Sequence, residues 1–378
     1  MDPLEHAQAR IRVLLIAPSL DILGGQAVQA ARLLRELRKE ASLDIDFLPM
    51  NPRLAGPFAA LQKVKYVRTV FTVVWFLVKL ASCLRHYDIL HVFSAAYFSF
   101  WWAPMPAILL AKLCGKKVIL NYRDGQAEDH LRNWRSAIPV IRKADVTVAP
   151  SGFLVDVFAR FGLEARAVFN IIDVDRFHYR ERQRLRPIFF TNRILEPLYN
   201  VGCILRAFAL IQRHYPDASL TIAHDGVCRP ALEQLARELA LENTRFIGSV
   251  PHDDMPALYD AADLYLTSPD VDCMPGSLLE CFASGLPVVA TRAGGIPYIL
   301  THEETGLLVP CNDHEALAAA ALRLLRDPEL VARLTANAYR DVARYRWPQI
   351  RGAWMSIYRE LAYGEASVEG ARDRAFQA

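Results

Sequence analysis

Short apolar runs, each followed by a segment of helical character, recur along both halves of the chain. In the first half they occupy Ile11–Ala17, 43–48, 87–93, Lys117–Tyr122 and 145–151; in the second, Ile188–Thr191, Ser219–Ala223, Thr244–Gly248, Leu264–Thr267, 286–291 and 306–310. Runs of this length and composition are typical of strands covered on both faces. Their alternation with helices predicts an α/β protein with two Rossmann-like parallel-sheet domains facing a cleft.

The size and composition of the chain agree with two folded domains. It has 378 residues, of which 53% are hydrophobic and 22% charged, which is typical of a globular protein and not of a disordered one. A segment rich in arginine and poor in apolar residues, 176–187, marks the predicted boundary. We therefore predict an N-terminal domain over 1–178 and a C-terminal domain over 187–345.

Charge and cysteine usage limit the partners and the compartment. The formal net charge is only +3, so no nucleic-acid partner is indicated. The seven cysteines form no C-x-x-C pair, which favours reduced thiols in a cytosolic protein. The N-terminus is acidic and lacks the features of a secretory signal, so we expect a cytoplasmic protein.

The segment 268–295 concentrates the signals of a functional site. Met274, Pro275 and Gly276 predict a turn, Ser277 the start of a helix, and Gly285 the residue just beyond its end. Ser277 and Glu280 have the spacing of a capping box. One interpretation is therefore purely structural, with Glu280 as half of the cap and Asp272 as a turn residue.

The second interpretation is an anion site. The first amides of a helix point outward and lie at the positive end of its dipole, so those of Gly276, Ser277 and Leu278 are predicted to hold a phosphate. The carboxylates of Asp272 and Glu280 would bind hydroxyl groups. This combination suits a nucleotide sugar, with the diphosphate at the helix and the sugar hydroxyls at the acids.

This segment resembles the signature of glycosyltransferase family 4, the retaining GT-B enzymes. The signature is E-x7-E followed by a helix and S/A-G-x-P-V-V-A/S-T; here Asp272 and Glu280 give D-x7-E, and residues 283–291 read ASGLPVVAT. The resemblance covers nearly the whole chain, most strongly 188–310. It implies a GT-B fold, retaining sugar transfer from a nucleotide-diphosphate donor without metal or cofactor, and a C-terminal helix, 346–366, that crosses back to the first domain.

The resemblance also implies roles for single residues. Arg193 matches the arginine that contacts the donor diphosphate, for which a planar guanidinium is well suited. Tyr199 stands where the family usually has a lysine, so one cation is missing; Arg123, aligned with the family's sugar-side histidine, is a candidate to replace it. Gly24 and Gly25 match the glycine loop that faces the donor phosphates.

For the two acids, the resemblance implies that Asp272 bonds a hexose hydroxyl or stabilises positive charge at the anomeric carbon, and that Glu280 bonds the ribose. Asp272 is one methylene shorter than the family's glutamate. Because Asp272, Arg123 and Tyr199 depart from the pattern, an alternative is a catalytically weak GT-B relative that acts as a binding or scaffold subunit. A nicotinamide enzyme is disfavoured, since no G-x-G-x-x-G follows Ala17.

A basic, aromatic segment at 63–85 suggests a membrane. Its longest uncharged stretch, Thr69 to Val78, is too short to span a bilayer. Its basic residues are Lys63, Lys65, Arg68, Lys79 and Arg85. An amphipathic helix at the membrane interface fits this pattern, and so does a core helix with extended lysines. The first alternative predicts peripheral contact with the inner face of the membrane and a glycan or lipid-linked acceptor.

Overall fold

The computed structural model describes residues 10–21, 24–52, 65–182 and 184–364, and for 65–68 the backbone only. Contacts divide the chain into two units. The first unit comprises the described residues of Met1–Pro150, Leu154–Ile171 and Ile350–Ala378, and the second comprises Ser151–Phe153 and Ile172–Gln349. The chain thus passes between units at Ile171/Ile172, ahead of the arginine-rich segment, and returns to the first unit at Ile350.

The first unit is built on one parallel sheet of six strands, in the order β2-β1-β3-β4-β5-β6. The strands are β1 (Ile11–Ala17), β2 (Leu43–Pro49), β3 (Ile89–Ser94), β4 (Lys117–Tyr122), β5 (Val146–Ala149) and β6 (Arg166–Ala167). The helices are α1 (Gly25–Leu37), α2 (Lys65–Cys83), α3 (Tyr97–Trp102), α4 (Pro104–Leu113), α5 (Ala127–Asn133), α6 (Ala137–Ile141) and α7 (Gly152–Arg160), joined by part of α14 (Trp347–Tyr363). All six residues of β3 are buried, as its apolar sequence predicts.

The second unit has its own six-stranded parallel sheet, in the order β12-β11-β10-β7-β8-β9. The strands are β7 (Ile188–Thr191), β8 (Ser219–Ala223), β9 (Thr244–Gly248), β10 (Leu264–Thr267), β11 (Val288–Thr291) and β12 (Leu307–Val309). The helices are α8 (Val201–His214), α9 (Arg229–Glu238), α10 (Met255–Ala261), α11 (Gly276–Ala283), α12 (His314–Arg326) and α13 (Pro328–Asp341). The two predicted parallel sheets are confirmed.

The order of the strands indicates where a ligand binds in each unit. In the second sheet β7 lies between β10 and β8, so the chain reverses its direction of winding between β7 and β10. In the first sheet the same reversal lies between β1 and β3. In open α/β sheets ligands bind beyond the carboxyl ends of the strands at such a reversal.

The arginine-rich segment is packed against the second unit and is not a solvated linker. Arg182 is only 3% exposed, and its guanidinium donates to the carbonyls of Tyr259, Ala262 and Ser284. Its neighbours Arg180 and Arg186 both pair with the buried carboxylate of Asp263. The compositional signal for a linker was misleading because buried carbonyls and one carboxylate satisfy these charges.

Helix α2 is buried along one side only, with Phe76 and Leu80 in the core and Val70, Val74 and Val78 exposed. Thr69–His86 is long and apolar enough to cross a membrane by length and composition, a test that soluble core helices also pass, but only 17% of this window is buried. This does not fit a helix buried in the core. Of the basic residues named for this segment, Lys63 lies outside the described residues, and the side chains of Lys65 and Arg68 are not described.

Candidate active site

The two residues with the strongest predicted roles meet in the second unit. Arg193 follows β7 and Asp272 follows β10, and these strands are paired neighbours in the sheet. The Arg193 guanidinium donates through Nη2 to Oδ2 of Asp272. Both side chains are nearly buried, with 11% and 9% exposed. The sheet order therefore brings the predicted cation and the predicted acid into contact at the reversal point.

Two further groups lie against the Arg193 guanidinium. The ring of Tyr199 lies under its Cζ at 4.3 Å, and Oγ of Ser277 lies 3.4 Å from Nη1. Burial alone would lower the pKa of Arg193, but the Asp272 carboxylate, with Tyr199 and two other tyrosines, outweighs it and raises that pKa. The cation is therefore permanent, and the residue at the missing lysine's position supports it with an aromatic face.

Helix α11 begins beside this cation but has no capping box. Its cap residue is Pro275 without a side-chain cap, Gly276 is the first helical residue, and Ser277 faces Arg193 instead of the helix end. The amide of Leu278 donates to the Pro275 carbonyl at 3.2 Å. Within the described part of the chain, the amides of Gly276 and Ser277 have no backbone acceptor. The predicted anion site thus narrows to two amides and the Arg193 guanidinium.

Glu280 lies at the end of a chain of buried hydrogen bonds. The Tyr265 hydroxyl donates to Oδ1 of Asn192 at 2.7 Å, Nδ2 of Asn192 donates to the Tyr259 hydroxyl at 2.8 Å, and that hydroxyl donates to Oε2 of Glu280 at 2.8 Å. Burial, and then the Glu280 charge, raises the pKa of Tyr259. Sequence reasoning missed Tyr259 and Tyr265, because nothing in their local pattern places them beside Asn192.

The loop that carries Asp272 is held by two glycines. The amide of Gly295 donates to the Asp272 carbonyl at 2.7 Å, and the amide of Met274 donates to Oδ1 of Asp272 at 3.1 Å. Gly294 has φ +48°, and a Cβ there would lie 2.3 Å from the Asp272 carbonyl oxygen. A Cβ at Gly295 would lie 2.0 Å from the carbonyl oxygen of Cys273. The glycine pair therefore packs closely against the backbone of the Asp272 loop.

At the other end of α11, Gly285 has the predicted role. It follows the cap residue Ser284 and has φ +61°. The amide of Leu286 then donates back to the Cys281 carbonyl at 2.9 Å. Only glycine adopts this conformation without strain, so the predicted end of the helix is confirmed.

In the first unit, the predicted residues gather at the carboxyl edge of the sheet. α1 begins at Gly25 after Gly24, and the space around a Cβ at either glycine is open to 4 Å. The side-chain amide of Gln26, the next residue, donates to the carbonyl of Arg123 at 3.2 Å. Arg123 itself is 9% exposed and lies over the ring of Phe93 at 5.1 Å. A hydrogen bond from Gln26 thus connects the glycine loop to the backbone of Arg123.

A polar network that the sequence did not reveal lies behind Arg123. Nη1 of Arg123 donates to Oδ1 of Asn121 at 3.2 Å, Nδ2 of Asn121 lies 3.1 Å from Nε2 of His91, and Nδ1 of His91 lies 2.7 Å from the Tyr358 hydroxyl on α14. Burial, and then the nearby Arg123 charge, lowers the pKa of His91 to about 3. A neutral imidazole therefore connects Arg123 to the C-terminal helix.

His130, eight residues after Tyr122, is buried. Its Nδ1 lies 2.8 Å from the Tyr122 hydroxyl. Burial lowers its pKa to about 4 although Asp124 and Asp129 oppose the shift. The histidine is therefore part of the core. Among the described residues, no group of three or more His, Cys, Asp or Glu side chains is placed to hold a metal.

Comparison with known proteins finds similarity to glycosyltransferases. The family model "Glycosyl transferases group 1" matches residues 173–341. A D-inositol 3-phosphate glycosyltransferase of Saccharomonospora viridis is 32% identical over 215 residues, which are 52% of this chain and 50% of that protein. A GDP-mannose-dependent alpha-(1-6)-phosphatidylinositol monomannoside mannosyltransferase of Mycolicibacterium smegmatis is 28% identical over 274 residues, which are 65% of this chain and 70% of that protein.

A solved structure extends the similarity of fold to both units. Sucrose-phosphate synthase of Thermosynechococcus elongatus superposes with a TM-score of 0.77 at 20% identity, and the match covers 93% of this chain and 99% of that one. The matched segment spans only about half of the Saccharomonospora viridis relative. Residues 173–341 therefore match the glycosyl transferases group 1 in sequence, and the chain is similar in fold to this synthase.

Proposed function

We propose that the chain is a retaining glycosyltransferase that moves a sugar from a nucleotide-diphosphate donor to a glycan or lipid-linked acceptor. One observation carries the proposal: Arg193, Asp272 and the start of α11 meet at the reversal point of the second sheet. The Arg193 guanidinium lies 3.4 Å from Oγ of Ser277, at the start of α11. The amides of Gly276 and Ser277 have no backbone acceptor in the described chain. A guanidinium beside free amides at a helix start is suited to bind a diphosphate.

The reaction that this environment supports is the departure of a diphosphate. The bond between the anomeric carbon and the diphosphate oxygen breaks, the acceptor hydroxyl oxygen bonds to the same carbon, and its proton is released. Arg193 and the amides of Gly276 and Ser277 stabilise the charge that develops on the leaving oxygen. Asp272, already paired with Arg193, would stabilise positive charge at the anomeric carbon. No metal or cofactor is assigned a step.

The acceptor and the location belong to the same proposal. The Mycolicibacterium smegmatis relative is named for a phosphatidylinositol-linked acceptor. The exposed valines of α2 and the exposed tryptophans of α3 fit a protein that works against a membrane surface, in the cytoplasm at its inner face. A surface-polysaccharide glycan built on a lipid carrier is the acceptor class that combines these features.

The experiment that tests the donor site is a thermal-shift screen with UDP, GDP, ADP, CDP and their common sugar conjugates. One nucleotide well above its dissociation constant should raise the midpoint by several degrees. The Arg193→Ala variant should lose that shift and most transfer activity, about a hundredfold or more. Arg323→Ala, which removes an exposed ion pair with Glu303, is the matched control and should keep both.

Two results would count against the proposal. Absence of a shift with every nucleotide would favour the binding or scaffold alternative. An unchanged shift in Arg193→Ala would move the donor site elsewhere. If transfer is observed, the anomeric configuration of the product decides whether the enzyme retains or inverts.

A further inference from the structure

The first unit contains an apolar pocket that the donor chemistry does not use. It has a volume of about 680 Å³ and lies between α2, α3, the start of α4 and the segment 133–136. Its walls are apolar, with Val73 and Leu77 from α2, Trp101 and Trp102 from α3, Met105 from α4, and Trp134. This volume lies within the range of small-molecule sites in proteins, which is about 300–1,000 Å³.

Exposed apolar side chains are concentrated around this pocket. Phe98, Trp101 and Trp102 of α3 are 66%, 39% and 44% exposed. On α2, the outward residues Val70, Val74 and Val78 are 56%, 54% and 64% exposed. Because these valines recur every four residues, they form one stripe, and Val73 and Leu77 beside them turn into the pocket. The pocket therefore opens beside an exposed apolar surface.

The polar part of the pocket indicates the charge of its occupant. Apart from Asn133 and Ser136, the polar lining residue is Arg135, which is exposed. Helix α2 contains no acidic residue, and the described residues that line the pocket include none either. A molecule with an apolar chain and an anionic group would place the chain among the tryptophans and the anion at Arg135. The tryptophans themselves suit a boundary between apolar and aqueous surroundings.

We propose that this pocket binds one aliphatic chain of an anionic membrane lipid, with the lipid phosphate at Arg135. The bound lipid is the acceptor, or its lipid carrier, and in this respect the inference rests on the proposed function. The stripe of Val70, Val74 and Val78 then contacts the membrane from which the chain is drawn. Each methylene that leaves water for the pocket adds to the binding free energy, so affinity rises with chain length.

The test uses the full chain and a single-chain phospholipid with a brominated acyl tail, present as monomers. Bromine quenches nearby tryptophans, and Trp101, Trp102 and Trp134 line the pocket. We expect saturable quenching that weakens at least tenfold in Val73→Phe, which fills the pocket. Arg135→Gln should weaken binding of the phospholipid but not of an alcohol with the same chain. Leu113→Lys, at an exposed residue outside the pocket, is the control and should bind normally.

A second experiment distinguishes lipid binding in the pocket from adsorption of the protein to a membrane surface. Val74→Lys with Val78→Lys, and separately Lys65→Glu with Arg68→Glu, should reduce co-sedimentation with anionic vesicles and leave quenching by the monomeric lipid unchanged. Val73→Phe should weaken quenching by the monomeric lipid and leave co-sedimentation with anionic vesicles unchanged. Quenching that does not saturate, or that is equal in wild type and Val73→Phe, would overturn the pocket proposal.

The same samples keep this proposal separate from the donor site. Nucleotide thermal shifts should be identical in wild type and in all pocket variants, because the pocket and Arg193 lie in different units. Nucleotide binding without chain binding would refute the pocket alone. Chain binding without any nucleotide shift would refute the proposed function and leave a lipid-binding protein.

Discussion

Tyr199 is a residue at which this chain departs from the pattern of the family that it resembles. Where the resemblance expects a lysine, a phenol ring lies 4.3 Å from the Arg193 guanidinium carbon. Such a contact stabilises the folded protein by about 0.5–2 kcal/mol. The chain therefore has one cation held between a ring and a carboxylate, where the family pattern has two cations.

The variant Tyr199→Lys should have opposite effects on the free and bound protein. Loss of the ring and repulsion from Arg193 should lower the melting temperature of the free protein. A diphosphate would then neutralise two cations, so the shift caused by the nucleotide should be larger than in wild type. Differential scanning fluorimetry measures both, with Tyr199→Phe, which keeps the ring, as control. A smaller shift in Tyr199→Lys would show that position 199 does not face the phosphates.

For Glu280, a buried hydrogen bond makes Glu280→Gln a better test of function than Glu280→Ala. Its carboxylate accepts the hydroxyl of buried Tyr259 at 2.8 Å. Glu280→Ala leaves that hydroxyl without this acceptor, at a cost of about 1–3 kcal/mol, so loss of activity would be mixed with loss of stability. Glu280→Gln keeps an acceptor and removes the charge. We expect it to remain folded in urea titrations and to lose affinity for the nucleotide sugar; wild-type affinity would remove Glu280 from the donor site.

At the scale of elements, the order of the strands in the sheet determines which residues meet at the site. The sequence located the strands, the glycine after α11 and the position of Arg193 at the end of β7 because apolar periodicity and turn residues are local signals. The pairing of Arg193 with Asp272 required the order of the sheet, which no local pattern contains. The capping-box interpretation was wrong for the same reason. Ser277 and Glu280 have the right spacing, but Ser277 contacts Arg193 and Glu280 accepts a hydrogen bond from Tyr259.

The turn at Gly294 packs directly against the loop that carries Asp272. Its φ is +48°, and a Cβ at this position would lie only 2.3 Å from the Asp272 carbonyl oxygen, so any side chain must displace that loop. Gly294→Ala should therefore reduce the free energy of unfolding by about 1–3 kcal/mol and reduce nucleotide binding. Urea titration and the thermal-shift screen measure these two effects.

Gly202, inside α8, is the matched control for this prediction. A Cβ there would meet Leu235 at an ordinary 3.6 Å. Gly202→Ala should be neutral or stabilise the protein by up to about 1 kcal/mol, because alanine favours the helix. Equal stability losses in the two variants would show that the close contact at Gly294 is not the cause.

At the scale of the whole molecule, stability should depend on pH through two buried histidines. The pKa of His91 is lowered to about 3 and that of His130 to about 4, both from 6.5, chiefly by burial. In the unfolded chain both imidazoles bind a proton below about pH 6.5, whereas the folded chain keeps them neutral. Stability is therefore greatest above this pH and falls as the pH drops, by about 1.4 kcal/mol per unit for each histidine.

This prediction is measured by urea titrations between about pH 7 and 4.5, above both folded-state pKa values. In His91→Gln the slope of stability against pH should fall by about 1.4 kcal/mol per unit in that window, because the His91 proton no longer contributes. His214→Gln, at an exposed residue on α8, is the control variant. A wild-type slope in His91→Gln would show that His91 does not stay neutral in the folded protein.

The return of the chain at Ile350 also has a consequence for biosynthesis. Trp354 and Tyr358 on α14 pack on and bond to His91, so the first unit is complete only when the last helix has been made. The second unit is contiguous apart from Ser151–Phe153 and contains its whole sheet. During translation the second unit can therefore be completed before the first, which at that point still lacks most of α14.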